Sequence, residues 1–218
     1  MDNILCVSYK DKISLIYDKK PEFDIVVFDY GSNVPFDQYY DIKFDVNTEC
    51  KGDLFVQGID TILNTYGKFD RMCFFDDDIV IKISMIETLF ELAKDHKLDL
   101  FQPSLSHDSY YSHKFTLTQG KGMRNIDWVE VMMPGFSYEF TTKLHEQLKI
   151  LDLKYNIKSG WGIDKYTFPH ILNSMDGTCM ISDDIVASHI NPVASKNRIF
   201  SNGKNAHQEL ELIKRHYS

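Results

Sequence analysis

Residues 71–81 read RMCFFDDDIVI, an apolar run broken by three consecutive carboxylates, Asp76, Asp77 and Asp78. Taking an unpaired carboxylate out of water is costly, so a buried strand does not carry three of them in its middle unaided. Either the strand ends at the triplet or a cation sits there. If the extended backbone continues, Asp76 and Asp78 project to one face and Asp77 to the other. Such an oxygen-rich pair suits a hard divalent ion, Mg2+ or Mn2+, carrying a phosphate-containing substrate. A solvated acidic turn is the competing reading, and the triplet alone does not choose between them.

The flanking chain reads as alternating strands and helices. Upstream, residues 3–9 (NILCVSY) and 23–30 (FDIVVFDY) have the density of buried strands, the second stopped by Gly31, Ser32 and Asn33. Residues 13–18 suit a brief strand or a helix start, and residues 42–46 (IKFDV) alternate like an edge strand. Residues 53–66 place Leu54, Phe55, Ile59, Ile62 and Leu63 near one helical face, with Asp53 as the cap and Gly67 as the stop. Downstream, a helix is expected over 85–96, started by Ser84, and a strand over 99–102 closed by Pro103. This order predicts an α/β fold with a Rossmann-like sheet flanked by helices. Ser8, Tyr9, Asp29 and Tyr30 then stand at neighbouring strand ends, where open α/β sheets collect ligands. Lys51, just ahead of a helix, is a solvated charge or an anion contact.

Residues 104–125 are polar, rich in Ser, Tyr and His, and lack periodicity, as functional loops do. Beyond them we expect a strand over 127–134 (DWVEVMMP) containing Glu130, and a helix over 140–153. The turn KSGWGID (158–164) follows, then a helix over 164–175 made irregular by Pro169, and a last strand over 179–188 ending at His189. The polar tail, 191–218, has helical spacing only in its final stretch, HQELELIKRHY.

The chain's 218 residues suit one large domain with a real core, and 43% hydrophobic with 26% charged residues is ordinary for a soluble protein. Net charge is −8 with no cluster of Lys and Arg, which disfavours a general nucleic-acid binder. Cys6, Cys50, Cys73 and Cys179 never approach a C-x-x-C spacing, which argues against a zinc site or disulfide scaffold. With only a short apolar run after Asp2 and Asn3, no signal peptide or membrane span is expected, and the simplest location is intracellular, in the cytoplasm.

FFDDDIVI, FQPSL, WVEVMMPGFS, GWGID and ISDDIVASH occur in one order along residues 51–189. In that order the chain resembles nucleotide-sugar glycosyltransferases of the type A fold, most closely the small glycosyltransferase domains of plant, bacterial and large algal-virus proteins. The resemblance implies one glycosyltransferase domain over 1–218: a nucleotide-sugar half (1–103), an acceptor and catalytic half (104–190) and a C-terminal tail (191–218). It implies transfer of a sugar, of the hexosyltransferase type, from a nucleoside diphosphate donor (UDP-linked by family habit) to a carbohydrate acceptor such as a protein-linked or capsular glycan.

By the same resemblance Asp78 is the direct metal ligand, Asp76 and Asp77 reach ribose or metal-bound water, with Asp76 an alternative ligand, and His189 is the second protein ligand for Mn2+ or Mg2+. Asp164 matches the acid of the Gly-Trp-Gly-x-Asp turn, which also resembles that of inverting galactosyltransferases; it would be the base that deprotonates the acceptor hydroxyl. Against that, it could simply cap the next helix, or bind the acceptor in a retaining reaction. Gln102, Glu130, Trp161 and Gly162 fall at acceptor or sugar contacts, and Ser8, Tyr9, Asp29, Tyr30 and Lys51 at the nucleotide. The triplet is Asp-Asp-Asp where plant members carry Asp-Glu-Asp, which leaves open which carboxylate reaches the metal. Two rivals stand: a nucleotide-sugar-binding module without turnover, and a metal-dependent nucleotidyltransferase or hydrolase using the same aspartates.

Overall fold

The computed structural model describes residues 3–10, 14–31, 38–192 and 197–218. Asp2, Ile13, Ser32 and Asn33, which figure in the sequence reading, lie outside them, as do residues 193–196 of the tail. Strand β1 (Ile4–Tyr9) pairs in parallel with both β3 (Asp24–Asp29) and β5 (Arg71–Phe75), and β3 pairs with the edge strand β4 (Ile42–Asp45). The strand β7 (Leu100–Leu105) is parallel to β10 (Cys179–His189), and the short β9 (Gly135–Ser137) runs antiparallel between β5 and β7. It follows that β1, β3, β5, β7 and β10 all end at one edge of the sheet. A two-residue β2 (Leu15–Ile16) and β6 (Ile79–Lys82) extend it past β10, and β8 (Met123–Asn125) also pairs with β10.

Central strands are buried on both faces, as parallel strands covered by helices must be. Along β1, Ile4 and Cys6 enter one core with Phe55 and Ile59 of helix α1 (Lys51–Tyr66), and Leu5 and Val7 enter the other with Ile86 and Phe90 of α2 (Ile83–Asp95). The first core also takes Leu144 and Leu148 of α3 (Tyr138–Tyr155), Ile171 and Leu172 of α4 (Phe168–Met175) and Ile213 of α5 (Ala206–His216). Cys6, Cys73 and Cys179 are buried free thiols within these cores. No helix among the described residues is long and apolar enough to cross a membrane.

Several expected boundaries shift for physical reasons. Helix α1 begins at Lys51, with Cys50 at its N-cap; Asp53 sits at its third position and accepts from the backbone N–H groups of Glu49 and Cys50. Strand β7 runs through Pro103: β9 pairs only as far as Phe101, and the β10 register slips after the Ser182–Pro103 pair, so no ladder hydrogen bond is demanded of the imide nitrogen. Residues 127–134 do not form the expected strand. They cross the end of β5 irregularly, where the Met132 and Pro134 carbonyls accept from Asp76 and Phe74 N–H, and the regular strand is the following β9. After Gly162 the chain makes a π-helical turn (Ile163–Thr167), and Pro169 lies in the first turn of α4, where its missing N–H costs nothing.

Candidate active site

The acidic triplet is a turn at the end of β5, before β6, and not the middle of a strand. Strand alternation therefore does not govern it, and its three carboxylates go three ways. Asp76 Oδ1 accepts from Lys51 Nζ at 2.5 Å, Asp77 Oδ2 from the Tyr30 hydroxyl at 3.4 Å, and Asp78 Oδ2 lies 3.1 Å from His189 Nε2. Burial pushes the Asp77 carboxyl up to about 7, aided by Asp76 and Asp78, and raises Asp76 against the opposing pull of Lys51. Lys51 is fixed from two sides, since its ammonium also lies 4.7 Å from the Phe74 ring centroid and 5.0 Å from that of Phe55.

At the same sheet edge, His189 is buried at the end of β10. Its Nδ1 lies 2.8 Å from the Tyr110 carbonyl, and its backbone N–H donates to Ser109 Oγ. A backbone carbonyl on Nδ1 orients the ring and leaves Nε2 as the nitrogen turned to Asp78. Burial disfavours the charged imidazole, but Asp78 and the Tyr110 carbonyl raise it above its ordinary value. Among the described residues no three His, Cys, Asp or Glu side chains form a metal cage. The chemistry of the pair nonetheless fits a divalent ion shared with a substrate. Asp78 Oδ1 is buried with no hydrogen-bond partner, and ions of this kind take one or two protein ligands plus phosphate oxygens.

The second cluster rests on the turn before α4. Asp164 is buried, and its Oδ1 accepts from Lys165 N–H at 2.8 Å. Burial pushes its carboxyl up to about 6, while the N–H groups of Lys165 and Val131 work the other way. Asp164 does not cap α4, whose N-cap is Thr167. Glu130 lies within its electrostatic reach. Burial pushes Glu130 up to about 7, opposed by a hydrogen bond to Ser112 and reinforced by Asp164, and its Oε2 has no hydrogen-bond partner. Gln102 stands apart from this chemistry: its Oε1 accepts Glu130 N–H at 2.7 Å and its Nε2 donates to the Pro103 carbonyl, so both ends of the amide hold backbone.

The remaining expected contacts are placed as follows. Ser8 and Tyr9 are buried at the end of β1, Tyr9 opposite Asp29 of β3. Asp29 accepts from Lys43 Nζ at 2.7 Å and from Gly31 N–H. Trp161 is half-buried, its ring edge against His207 of α5 with centroids 5.1 Å apart. Gly162 has φ +96°, a backbone conformation that side-chain-bearing residues rarely adopt, so the turn favours glycine.

Two anchors escaped the sequence reading. Asp183, at the β10 irregularity, pairs with Arg124 through Nε and Nη2 at 2.9 Å each and accepts the N–H groups of Gln119 and Lys121. Arg124 also donates to the Phe115 and Leu117 carbonyls, so this pair staples the polar loop to the sheet. Glu209 of α5 is fully buried against the start of the Gly-Trp-Gly turn. Its signal was its place among apolar neighbours: Ala206, Glu209 and Ile213 are the buried residues of an amphipathic helix.

No protein-family model matches the chain, and no curated protein matches it. Solved structures do. GalNAc-T7 with UDP, GalNAc and Mn2+ superposes over 98% of this chain with a TM-score of 0.63 at 9% identity. S. aureus TarS 1-349 in complex with UDP-GlcNAc superposes over 100% of it with a TM-score of 0.60 at 11% identity. The chain has the glycosyltransferase type A fold. It spans 48% of the GalNAc-T7 structure and 65% of that of TarS.

Proposed function

We propose that this chain is a metal-dependent glycosyltransferase that moves a sugar from a UDP-linked donor to a carbohydrate acceptor. The observation that carries this reading is an Asp78–His189 pair at the sheet edge and a buried Asp164, joined through buried Glu130, whose carboxyl feels the charges of Asp164, His189 and Asp76. The type A fold supports it, because the two solved structures named above hold UDP or a UDP-sugar. The domain is read as a nucleotide half over 1–103 and an acceptor half over 104–190, with 191–218 following.

In this mechanism Tyr9, Asp29 and Tyr30 border the nucleoside, and Lys51, already held near the acidic turn, faces the diphosphate. Asp78 and His189 would hold Mn2+ or Mg2+, which as a Lewis acid neutralises charge on the departing nucleoside diphosphate. Asp164 accepts the acceptor hydroxyl proton while that oxygen bonds to the anomeric carbon. The bond from the anomeric carbon to the phosphate oxygen breaks with its electron pair leaving on UDP. Burial suits Asp164 to this work, since a carboxyl near 6 is ionised at neutral pH yet more basic than a solvated one. Glu130, nearer neutral at the same pH, donates or accepts a hydrogen bond to a sugar hydroxyl. Trp161 offers an aromatic face to the acceptor.

A donor screen in the presence of Mn2+, reading release of UDP or TDP with and without oligosaccharide acceptors, tests the reading. Release of UDP that depends on both metal and acceptor is expected. Release of nucleoside monophosphate would instead favour phosphoryl chemistry, and binding without turnover a non-catalytic module.

A further inference from the structure

The turn that presents Asp164 does not stand alone. Its first residues, Lys158 and Ser159, are held from opposite sides by two helices far apart in sequence. Their carbonyls face α1: the Lys158 carbonyl accepts Gly52 N–H at 2.8 Å, and the Ser159 carbonyl lies 3.7 Å from Cys50 Sγ. The approach is so close that a Cβ on Gly52 would come within 2.6 Å of Gly160 N. Their N–H groups face α5 and converge on Glu209. Lys158 N–H donates to both carboxylate oxygens at 3.1 Å, and Ser159 N–H and Oγ each donate to Oε2 at 2.7 Å. Asn202 Nδ2 completes the set at 2.6 Å.

Every partner of Glu209 is a donor, which specifies a carboxylate, because an amide would turn a donor of its own toward one of them. The clamp continues toward the reacting groups. Ser159 Oγ, donating to Glu209, accepts Trp161 N–H at 3.2 Å, and the Gly160 carbonyl accepts Ile163 N–H. On the other side, the residue between Cys50 and Gly52 is Lys51, whose ammonium holds Asp76. One loop therefore ties the acidic turn to the Asp164 turn, with a buried carboxylate as its outer lock.

We propose that Glu209 is a positioning residue, which makes the C-terminal helix an obligatory part of the active site: it locks residues 158–159 so that Asp164 meets the acceptor hydroxyl. This rests on the glycosyltransferase reading above. Glu209 touches no reacting atom; it acts through Ser159, Trp161 and the turn.

The test uses the full chain carrying Glu209→Gln, with Ser159→Ala as a milder second variant that keeps the backbone bonds to Glu209. Three quantities are measured: UDP affinity with Mn2+ by calorimetry, sugar transfer per folded molecule, and amide hydrogen exchange over residues 157–166. For Glu209→Gln we expect UDP affinity within about twofold of wild type, kcat lowered about 10- to 100-fold, and faster exchange confined to 157–166, because small misplacements of a reacting group carry penalties of that order. Ser159→Ala, which removes the Oγ bond to Glu209 and the acceptor of Trp161 N–H, should lower kcat about 3- to 10-fold and decides the matter if Glu209→Gln does not fold. A role confined to stability would lower the melting temperature and leave kcat per folded molecule at the wild-type value, which overturns the proposal, as would UDP affinity falling in step with kcat. If wild type transfers no sugar from any donor, the glycosyltransferase reading is what fails. Exchange over 163–166 then decides the lock by itself: unchanged protection in both variants overturns it, and lost protection supports it.

Discussion

His189 Nε2 lies 3.1 Å from Asp78 Oδ2, joining the end of β10 to a turn 111 residues earlier in the chain. Neither residue is notable alone. Their contact forms because β10 is parallel to the strands that precede the turn in the sheet, and β6, leaving that turn, pairs with the last residues of β10.

Replacing either member should remove the metal's help to nucleotide binding. We expect Mn2+ to tighten UDP binding to the wild-type protein and the gain to fall at least about 10- to 100-fold in Asp78→Ala and His189→Ala. Calorimetric titration of UDP with and without Mn2+ reads this directly. Equal, metal-independent affinities in all three proteins would remove the pair from the metal site.

Asp164→Asn separates chemistry from binding. Loss of a positioned base should lower transfer about 10²- to 10⁴-fold with UDP affinity unchanged. The wild-type rate should fall as pH drops through about 6, where Asp164 takes up its proton. Stability moves the opposite way. A carboxyl whose folded pKa is raised from 3.8 to about 6 contributes most below the unfolded value and loses that contribution as pH rises through 6. Asn, neutral throughout, should therefore be more stable than wild type at pH 7 by about 1–3 kcal/mol, and the gain should vanish near pH 4. Denaturant melts at the two pH values measure it; a variant less stable at both would contradict the burial account.

Lys51→Met tests the other carboxylate. Removing the ammonium leaves Asp76 in a partly buried site without its charged partner, at a cost of about 1–3 kcal/mol at pH 7. Because burial already raises Asp76, the cost should shrink as pH falls and the carboxyl protonates. A loss independent of pH between 4 and 7 would point to lost packing against Phe55 and Phe74 instead.

Asp183→Ala should free the polar loop. Breaking a buried pair by removing one member costs about 3–5 kcal/mol, since the Arg124 guanidinium stays behind. Burial alone would raise Asp183, but Arg124 and the N–H groups of Lys121 and Gln119 hold it below the usual carboxylate range. Its contribution is thus present above the unfolded pKa and lost as pH falls through the lower folded value. Melting temperatures at pH 7 should drop in the variant, with new protease cleavage within 113–125, and the difference from wild type should close only in strong acid. Intact wild-type-like resistance to cleavage would mean the pair does not hold the loop.

The alternation of strands and helices, the buried strands before residue 30 and the Gly67 stop of α1 were legible in residue order, because apolar periodicity and Gly stops are local properties, whereas both α1 and α2 begin two residues before the expected starts. Residues 127–134 misled for the same local reason. Val129, Met132 and Met133 are buried, and Val131 partly so, not as a strand but as a crossing over the end of β5. Pro103 misled because its tolerance depends on what β9 and β10 demand of it, which only the sheet can say.

By itself the sequence determined that carboxylates cluster at 76–78, that a Gly-rich turn delivers Asp164, and that a strand ends in His189. Tertiary structure decided what those groups face. Asp76 is taken by Lys51, Asp78 is turned to His189 with one oxygen left bare, and Glu209, a surface acid by composition, is the buried lock of the Asp164 turn. The physical reason is that a carboxylate's role follows from its desolvation and its partners, and both are supplied by segments distant in sequence.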